Sequence, residues 1–305
     1  MMAAIGNTPL LQLKKLTPSD SAEVWVKWEG ANPTGSRKVR MAVSIIDGAE
    51  ARGELLPGYR VLDYTGGSTG SSLAMVCAAR GYGSYFVTSD AFAESKLNTM
   101  RLFGAELEIV PGDNGKITPE LFQRCFDRVD ELRTTPGFFY ADQFRNVDNR
   151  RAYNAMGDEI VKALDGQIDG FVACVGTGGC FSGVAERLKA NSTATLCYPV
   201  EPMQSQAIAG LATTGGHRLE GVGAGFVPSI LRTDLASGTL AVADEDAMAT
   251  ARLLARTEGI CGGTSSGANV FAALELARRL GPGRRVVTVI CDTGLKYLDG
   301  DLYRA

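Results

Sequence analysis

Short apolar runs alternate with segments of helical spacing along most of the chain. Such alternation favours parallel strands that are buried on both faces and covered by helices. The strand-like runs are 22–29, 60–67, 84–89, 106–112, 166–176, 194–201 and 284–294. The helical segments are 38–53, 69–82, 93–104, 118–133, 181–190, 245–259 and 268–281. The pattern predicts an α/β protein in which mostly parallel sheets are flanked by helices.

The alternation falls into two series, separated by the polar stretch DQFRNVDNRR near residues 145–150. Small-residue turns follow several predicted strands, where α/β proteins bind their ligands. These turns are TGGSTG at 65–70, GTGGC at 176–180, GTSSGAN at 263–269 and CDTG at 291–294. Because backbone N–H groups are exposed in such turns, the set predicts a small anionic ligand.

Composition narrows the class of protein. The 305 residues carry a formal net charge of −3, and Lys and Arg are dispersed, so we expect no nucleic-acid partner. The first residues, MMAAIGNTPLLQL, lack the pattern of a secretory signal, and no apolar stretch approaches the roughly 20 residues that span a bilayer. Seven cysteines without a CxxC pair predict buried thiols, a cytoplasmic location and no metal site.

His217 is the single histidine of the chain. One histidine cannot build a His-rich metal site, and its loop-like segment TTGGHRLEG predicts a solvated surface residue. Acid–base chemistry must therefore depend on lysine, carboxylates, tyrosine or a cofactor.

The turn CVGTGGCFSGV at 174–184 predicts a phosphate site at a helix start. A dinucleotide fingerprint would need a third glycine where Phe181 stands, although Glu201 follows at the expected distance. No GxxxxGK[ST] segment occurs. A compact monophosphate fits the turn best, but the dinucleotide hypothesis stays open at this point.

A lysine in an unusual setting is the second requirement of one monophosphate cofactor, pyridoxal phosphate. The segment EGANPTGSRKVRMAVSII contains a turn at 32–35, a predicted N-cap at Ser36 and Lys38 in the first helical turn. The helix dipole and partial burial are expected to lower the pKa of Lys38 and favour the free amine that a Schiff base needs.

Taken together, these segments resemble the cysteine synthase (O-acetylserine sulfhydrylase) and cystathionine β-synthase family of fold-type II pyridoxal phosphate enzymes. The similarity extends over nearly the whole chain. It is carried in family order by IGNTPLLQL, EGANPTGSRKVR, TGGSTGSSLAMVCAARGY, DQFRN, GTGGCFSGV, VEPMQS, GVGAGFVP, EGICGGTSSGAN and CDTGLKYL.

The resemblance implies a two-lobed fold, with a smaller mobile domain at 36–145 and a larger cofactor-binding domain formed by 1–35 and 146–305. It implies that Lys38 carries the cofactor and moves the α-proton of the substrate. The implied phosphate ligands are Gly176, Thr177, Gly178, Gly179 and Cys180. The implied substrate-binding residues are Thr65, Gly66, Ser68, Thr69, Gln143, Gly221 and Gly223.

Thr293 is implied as the partner of the pyridine nitrogen, with Asp292 as its competitor. A hydroxyl there makes the ring a weaker electron sink than a carboxylate would, which favours expulsion of a β-substituent. The chain departs from the family pattern at Val39, at Ser68, which stands where an Asn contacts the cofactor, and at Cys180, which replaces a Thr.

The implied function is β-replacement on an activated L-serine derivative, of the O-acetylserine or O-phosphoserine type, through an aminoacrylate. Sulfide is the default nucleophile and L-cysteine the default product. Open alternatives are another β-substituted alanine synthase (diaminopropionate, cyanoalanine or cystathionine type), a serine/threonine dehydratase and a non-catalytic binding protein. The resemblance also implies a homodimer whose partners are small molecules.

Overall fold

The computed structural model describes residues 1–112 and 118–304, which form alternating strands and helices. The strands are β1 (Leu10–Leu13), β2 (Glu23–Trp28), β3 (Arg60–Tyr64), β4 (Gly83–Ser89), β5 (Glu106–Val110), β6 (Phe138–Tyr140), β7 (Gly170–Cys174), β8 (Leu196–Pro202), β9 (Leu240–Val242) and β10 (Arg285–Ile290). The α-helices are α1 (Lys38–Arg52), α2 (Ser68–Arg80), α3 (Glu94–Leu102), α4 (Pro119–Leu132), α5 (Val147–Arg151), α6 (Asn154–Ala163), α7 (Gly179–Asn191), α8 (Asp244–Glu258) and α9 (Thr264–Leu280). The predicted α/β class is confirmed.

The chain divides into two compact units. The smaller unit contains Met1–Ile5 and Lys38–Asn149, and the larger unit contains Gly6–Arg37 and Arg150–Ala305. The domain bounds expected from the sequence, 36–145 against 1–35 with 146–305, remain a prediction, as does the mobility of the smaller domain.

The smaller unit is built on a parallel four-stranded sheet in the order β5-β4-β3-β6. Helix α4 packs against this sheet through Leu121, Cys125 and Val129, which recur every four residues and are buried. They contact Leu62 and Val87 from β3 and β4. The periodicity that predicts the helix therefore also supplies its buried face.

The larger unit contains a six-stranded sheet in the order β1-β2-β10-β7-β8-β9. Strands β1 and β2 pair antiparallel, and the remaining pairs are parallel. All five residues of β7 are buried, as expected for a central strand with both faces covered. The chain turns into α7 beyond its carboxyl end, so this sheet positions the predicted phosphate turn.

The thiols behave mainly as small apolar groups. Six of the seven cysteines are buried, Cys261 is half-buried, and all are free. Burial raises the pKa of the Cys125 thiol to about 11, so this side chain is a poor nucleophile at neutral pH. Among the helices of the described residues, none combines the length and apolar composition needed to cross a bilayer.

Candidate active site

The predicted phosphate turn lies at the start of α7, in the larger unit. Gly178 precedes the helix with φ +87°, a left-handed conformation that glycine adopts without strain. The first helical hydrogen bond runs from the Ser182 N–H to the Gly178 carbonyl oxygen, 3.0 Å. Within the described ranges no side chain caps this helix, although Gly179 and Cys180 are buried. A buried helix start with uncapped N–H groups is suited to an anion.

A second loop packs directly on this turn. A Cβ atom on Gly176 would lie 2.2 Å from the Gly221 carbonyl oxygen, so only glycine fits there. The Gly223 N–H donates to the Val175 carbonyl oxygen, 3.0 Å, which fixes the loop beside the start of the turn. The structure thus brings Gly176–Cys180 together with Gly221 and Gly223. We call residues 176–180 the phosphate cup.

His217 differs from its sequence-based prediction. It is half-buried rather than a solvated surface residue, because its Nε2 lies 3.0 Å from the Gly223 carbonyl oxygen. The Ser205 hydroxyl donates to the same oxygen, at 3.2 Å. The single histidine therefore helps to hold the loop that packs on the phosphate cup.

The carboxylate of Glu201 holds the backbone that follows β8. Its carboxylate accepts the N–H groups of Ile208, 2.8 Å, and Ala209, 3.0 Å, and the side chain is buried. Both carboxylate oxygens of Glu201 therefore accept hydrogen bonds from the protein's own backbone. In a dinucleotide site this carboxylate would instead bind a ribose. This geometry counts against the dinucleotide hypothesis.

Lys38 is the first residue of α1, in the smaller unit, and is half-buried. Its place in the first helical turn is confirmed. Ser36, expected as the N-cap, instead lies in extended backbone bridged to Asp292, because the helix begins two residues later. Helix dipoles favour the neutral form of an amine at this end.

The predicted carboxylate-binding turn lies at the start of α2, also in the smaller unit. The Thr65 hydroxyl oxygen accepts the Gly70 N–H at 3.0 Å, which folds residues 65–69 around the helix start. The N-cap residue of α2, Gly67, has no side chain, and the Thr65 hydroxyl takes one N–H of the first turn. This second helix start, with Gly66 and Ser68 in its turn, suits a carboxylate.

Gln143 supports this turn through a short hydrogen-bond chain. The Thr69 hydroxyl donates to its Oε1, 2.8 Å, and its Nε2 donates to the Tyr64 carbonyl oxygen, 2.8 Å. The Asn149 amide donates to its backbone carbonyl oxygen, 2.6 Å. Gln143 therefore joins the Thr69 hydroxyl to the backbone of Tyr64, next to Thr65, and direct substrate contact by Gln143 stays a prediction.

Asp63 is a residue that the sequence reasoning missed. It lies in β3 with its side chain buried, and its Oδ1 accepts the Tyr64 N–H, 2.9 Å. Its Oδ2 has no hydrogen-bond partner among the described residues. Burial raises the pKa of this carboxyl well above its usual range, Asp142 raises it further, and Lys38 acts in the opposite direction. A carboxyl in the buried run RVLDY, just before the turn, was the available signal.

The residues expected near a pyridine nitrogen lie after β10. The Thr293 hydroxyl oxygen accepts the Leu295 N–H, 3.3 Å, which leaves its proton free to donate elsewhere. Asp292 is buried and accepts the Tyr297 hydroxyl at 2.8 Å. Tyr297 is itself buried, and burial raises the pKa of its hydroxyl well above the usual range, with Asp292 raising it further.

The start of α9 contributes further hydroxyls that sequence reasoning did not assign. Thr264 accepts the Glu220 N–H and Ser266 accepts the Cys291 N–H, both at 3.0 Å. Within the described residues the Ser265 hydroxyl makes no hydrogen bond, although the residue is 4% exposed. Ser265 is therefore a second candidate for the ring nitrogen, and the motif GTSSGAN was its signal.

Comparison with known proteins shows the family of this chain. Residues 1–292 match the family described as "Pyridoxal-phosphate dependent enzyme". The cysteine synthase of Staphylococcus aureus (strain N315) is 37% identical over 301 residues, covering 98% of this chain and 95% of that protein. A probable cysteine synthase of Bacillus subtilis (strain 168) is 38% identical over 303 residues, covering 98% and 96%.

Solved structures give the same result. The cysteine synthase of Entamoeba histolytica superposes with a TM-score of 0.93 at 32% identity, over 100% of this chain and 90% of that one. An O-ureido-L-serine synthase gives 0.92 at 32% identity, over 99% and 94%. An O-acetylserine dependent cystathionine β-synthase from Helicobacter pylori gives 0.91 at 31%, over 99% and 97%. The chain belongs to the pyridoxal-phosphate dependent enzymes of the cysteine synthase type.

Proposed function

We propose that this protein catalyses β-replacement on an activated L-serine derivative, of the O-acetylserine or O-phosphoserine type, with sulfide as nucleophile and L-cysteine as product. The observation that carries the proposal is a pair of helix starts with glycine at the N-cap position, at α7 and α2, in a chain whose Lys38 is the first residue of α1. One suits a phosphate and the other suits an amino-acid carboxylate. Near-full-length similarity to cysteine synthases supports this assignment.

The larger unit fits the cofactor at its phosphate and its ring nitrogen. The phosphate cup at 176–180 would hold the phosphate through backbone N–H groups and the Thr177 hydroxyl. When bound, pyridoxal phosphate withdraws electrons from the α-carbon of an attached amino acid. Thr293 would donate to the ring nitrogen, and the Tyr297 hydroxyl occupies one oxygen, Oδ2, of the competing Asp292 carboxylate.

The smaller unit supplies the remaining proposed roles. Lys38 would bind the cofactor aldehyde covalently and would take and return the α-proton through its Nζ. Residues Thr65, Gly66, Ser68 and Thr69 would bind the substrate carboxylate at the start of α2, and Gln143 would hold Thr69 in place. Gly221 and Gly223 complete the proposed set from the larger unit.

A substrate screen with mass detection tests the proposal. The purified holoprotein is mixed with O-acetylserine, O-phosphoserine or serine, each with and without sulfide. We expect cysteine from an activated serine and sulfide. Failure of all three donors with sulfide would refute the proposed reaction. Release of pyruvate without any added nucleophile would instead assign the dehydratase activity.

A related β-substituted alanine is the second candidate product. It is favoured by the structural similarity to an O-ureido-L-serine synthase and to an O-acetylserine dependent cystathionine β-synthase. Diaminopropionate, cyanoalanine and cystathionine are the products to measure, with ammonia, cyanide and homocysteine as nucleophiles in the same screen. A rate with one of these well above the rate with sulfide would replace cysteine as the product.

We also propose a cytoplasmic homodimer. The free thiols are typical of a reducing compartment. Light scattering on the purified protein should give about twice the chain mass of 32.3 kDa. A mass of one chain would refute the dimer, and recovery of the protein outside the cytoplasmic fraction would refute the location.

A further inference from the structure

Three side chains at the start of α3 and along it pack on the turn that is proposed to bind the substrate carboxylate. All of them belong to the smaller unit. Lys96 and Met100 lie one turn apart on one face of α3, and Phe92 directly precedes the N-cap residue, Ala93. Each of the three faces a glycine in the turn or in the first turn of α2. We call Phe92, Lys96 and Met100 the α3 ridge.

Phe92 covers Gly66, one of the proposed carboxylate-binding residues. A Cβ atom on Gly66 would lie 2.3 Å from Cδ1 and Cε1 of Phe92 and 2.4 Å from its Cγ. Nearly equal distances to three adjacent ring atoms place this Cβ position over the face of the ring. The ring is held in turn by the buried cluster behind it, with its centroid 6.4 Å from that of Tyr64. Only glycine therefore fits at position 66 beneath this ring.

The other two residues of the α3 ridge continue this packing. The Cδ atom of Lys96 lies 3.7 Å from a Cβ position on Gly67, an ordinary contact, so the apolar stem of Lys96 covers the N-cap residue of α2. A Cβ atom on Gly70 would lie 2.5 Å from the Met100 sulfur, and Met100 is fully buried. The α3 ridge thus follows the turn from Gly66 into the first turn of α2.

The position of this turn decides how well it can hold a carboxylate. Its donors are backbone N–H groups, and hydrogen bonds weaken steeply as their angle and length depart from the optimum. A backbone donor has no rotamers through which it can adjust, so the side chains that pack on the turn set its geometry. Apolar side chains also keep water from the turn, which strengthens hydrogen bonds to a bound anion.

We propose that the α3 ridge, through the contact of Phe92 with Gly66, sets the geometry in which residues 65–69 bind the carboxylate of the amino-acid substrate. The proposal rests on the proposed function, since it concerns the same carboxylate site. Phe92 is a positioning residue, because it acts through Gly66. Recognition of the amino acid thus depends on a helix outside the binding turn.

Amino-acid binding tests the proposal without turnover. L-Alanine has no β-substituent to lose, so its dissociation constant can be measured from the visible absorbance of the holoprotein, beside that of L-alaninamide, which lacks the carboxylate. We expect Phe92→Ala to weaken L-alanine about 10-fold, as for the loss of one charge-assisted hydrogen bond, and L-alaninamide less than about twofold. The affinity for pyridoxal phosphate should be retained, because the phosphate cup belongs to the larger unit. Leu102→Ala, at a position of α3 that is 79% exposed, is the matched control.

A double-mutant cycle isolates the contact between Phe92 and Gly66. Gly66→Ala alone should weaken L-alanine by about 10-fold or more, because the methyl group meets the ring. Phe92→Ala deletes all three ring atoms that this methyl group would meet. Added to Phe92→Ala, Gly66→Ala should therefore change the dissociation constant by no more than about threefold.

Three results would overturn the proposal. The first is a Phe92→Ala variant that binds L-alanine as tightly as the unchanged protein. The second is an equal weakening of L-alanine and L-alaninamide, which would indicate a general loss of structure. The third is a double variant in which the two losses multiply, since the ring would then act on binding without passing through Gly66.

Hydrogen exchange of the unchanged holoprotein covers the case in which the Phe92 variants do not fold. Because coupling between two sites is reciprocal, L-alanine should slow amide exchange at both 65–70 and 92–102, and L-alaninamide at neither. Slowing at 65–70 alone would overturn the role of the α3 ridge. If L-alanine binds the unchanged holoprotein no better than L-alaninamide, the proposed carboxylate site fails as well. If L-alanine binds better and the Phe92 variants bind it equally well, the proposed function stands and this inference alone fails.

Discussion

The Gly176→Ala substitution tests the geometry of the phosphate cup. The added methyl carbon would lie 2.2 Å from the Gly221 carbonyl oxygen, whereas such contacts essentially never fall below 3.0 Å. The loop at 221–223 must therefore move by about 0.8 Å or the cup must open. Overpacking of this kind typically costs about 1–3 kcal/mol. If that cost opposes cofactor binding, it corresponds to about 5- to 150-fold in the dissociation constant.

The assay is equilibrium binding of pyridoxal phosphate to the apoprotein, followed by fluorescence. The matched control is Gly216→Ala, because a methyl group on Gly216 meets no atom within 4 Å and the residue lies in the neighbouring loop. We expect the control to bind the cofactor within twofold of the unchanged protein. Tight binding by Gly176→Ala, with the fold retained by circular dichroism, would refute the assigned cup.

Three further predictions concern the other parts of the site. Asp63→Asn removes a carboxyl whose folded pKa is raised by burial, so the folded state binds its proton more tightly than the unfolded state. As pH rises from about 4 toward that raised pKa, the free energy of unfolding of the unchanged protein should fall relative to that of Asp63→Asn by about 1.4 kcal/mol per pH unit. If urea titrations give the two proteins the same dependence of this free energy on pH, the prediction is contradicted. Gln143→Leu removes two side-chain hydrogen bonds, one to Thr69 and one to the Tyr64 carbonyl oxygen. It should raise KM for the amino-acid substrate about 10-fold while cofactor affinity is retained. An unchanged KM would count against substrate carboxylate binding at residues 65–69. Thr293→Val should shift the visible absorbance of the bound cofactor and lower kcat, while Ser265→Ala should not; the reverse result would assign the ring nitrogen to Ser265.

The sequence predicted most of the regular elements because their patterns are long. The run at 166–176 contains the fully buried β7, and the helical spacing at 118–133 contains α4. The shortest strands, β1, β6 and β9, were missed because three or four residues give no reliable period. Helix α6 was also missed; it contains Gly157, where an added Cβ would meet the Arg187 side chain.

The candidate site was predictable as motifs but not as contacts. The turns at 65–70 and 176–180 could be identified from the sequence because a cluster of small residues directly after an apolar run is itself the signal of a turn. The pairing of Arg37 with Cys291 joins residues 254 positions apart, and only the folded sheet brings them together. The bond of His217 to Gly223 was missed for a related reason, because a polar loop resembles a solvated one until its hydrogen bonds are known.

The central claim is that Lys38 holds the cofactor covalently. Borohydride reduction of the holoprotein, followed by proteolysis and mass spectrometry, measures this directly. We predict a single pyridoxyl-phosphate label on the peptide that contains Lys38, and none on the Lys38→Ala variant. A label on another lysine, or the absence of any label from a yellow holoprotein, would contradict the account.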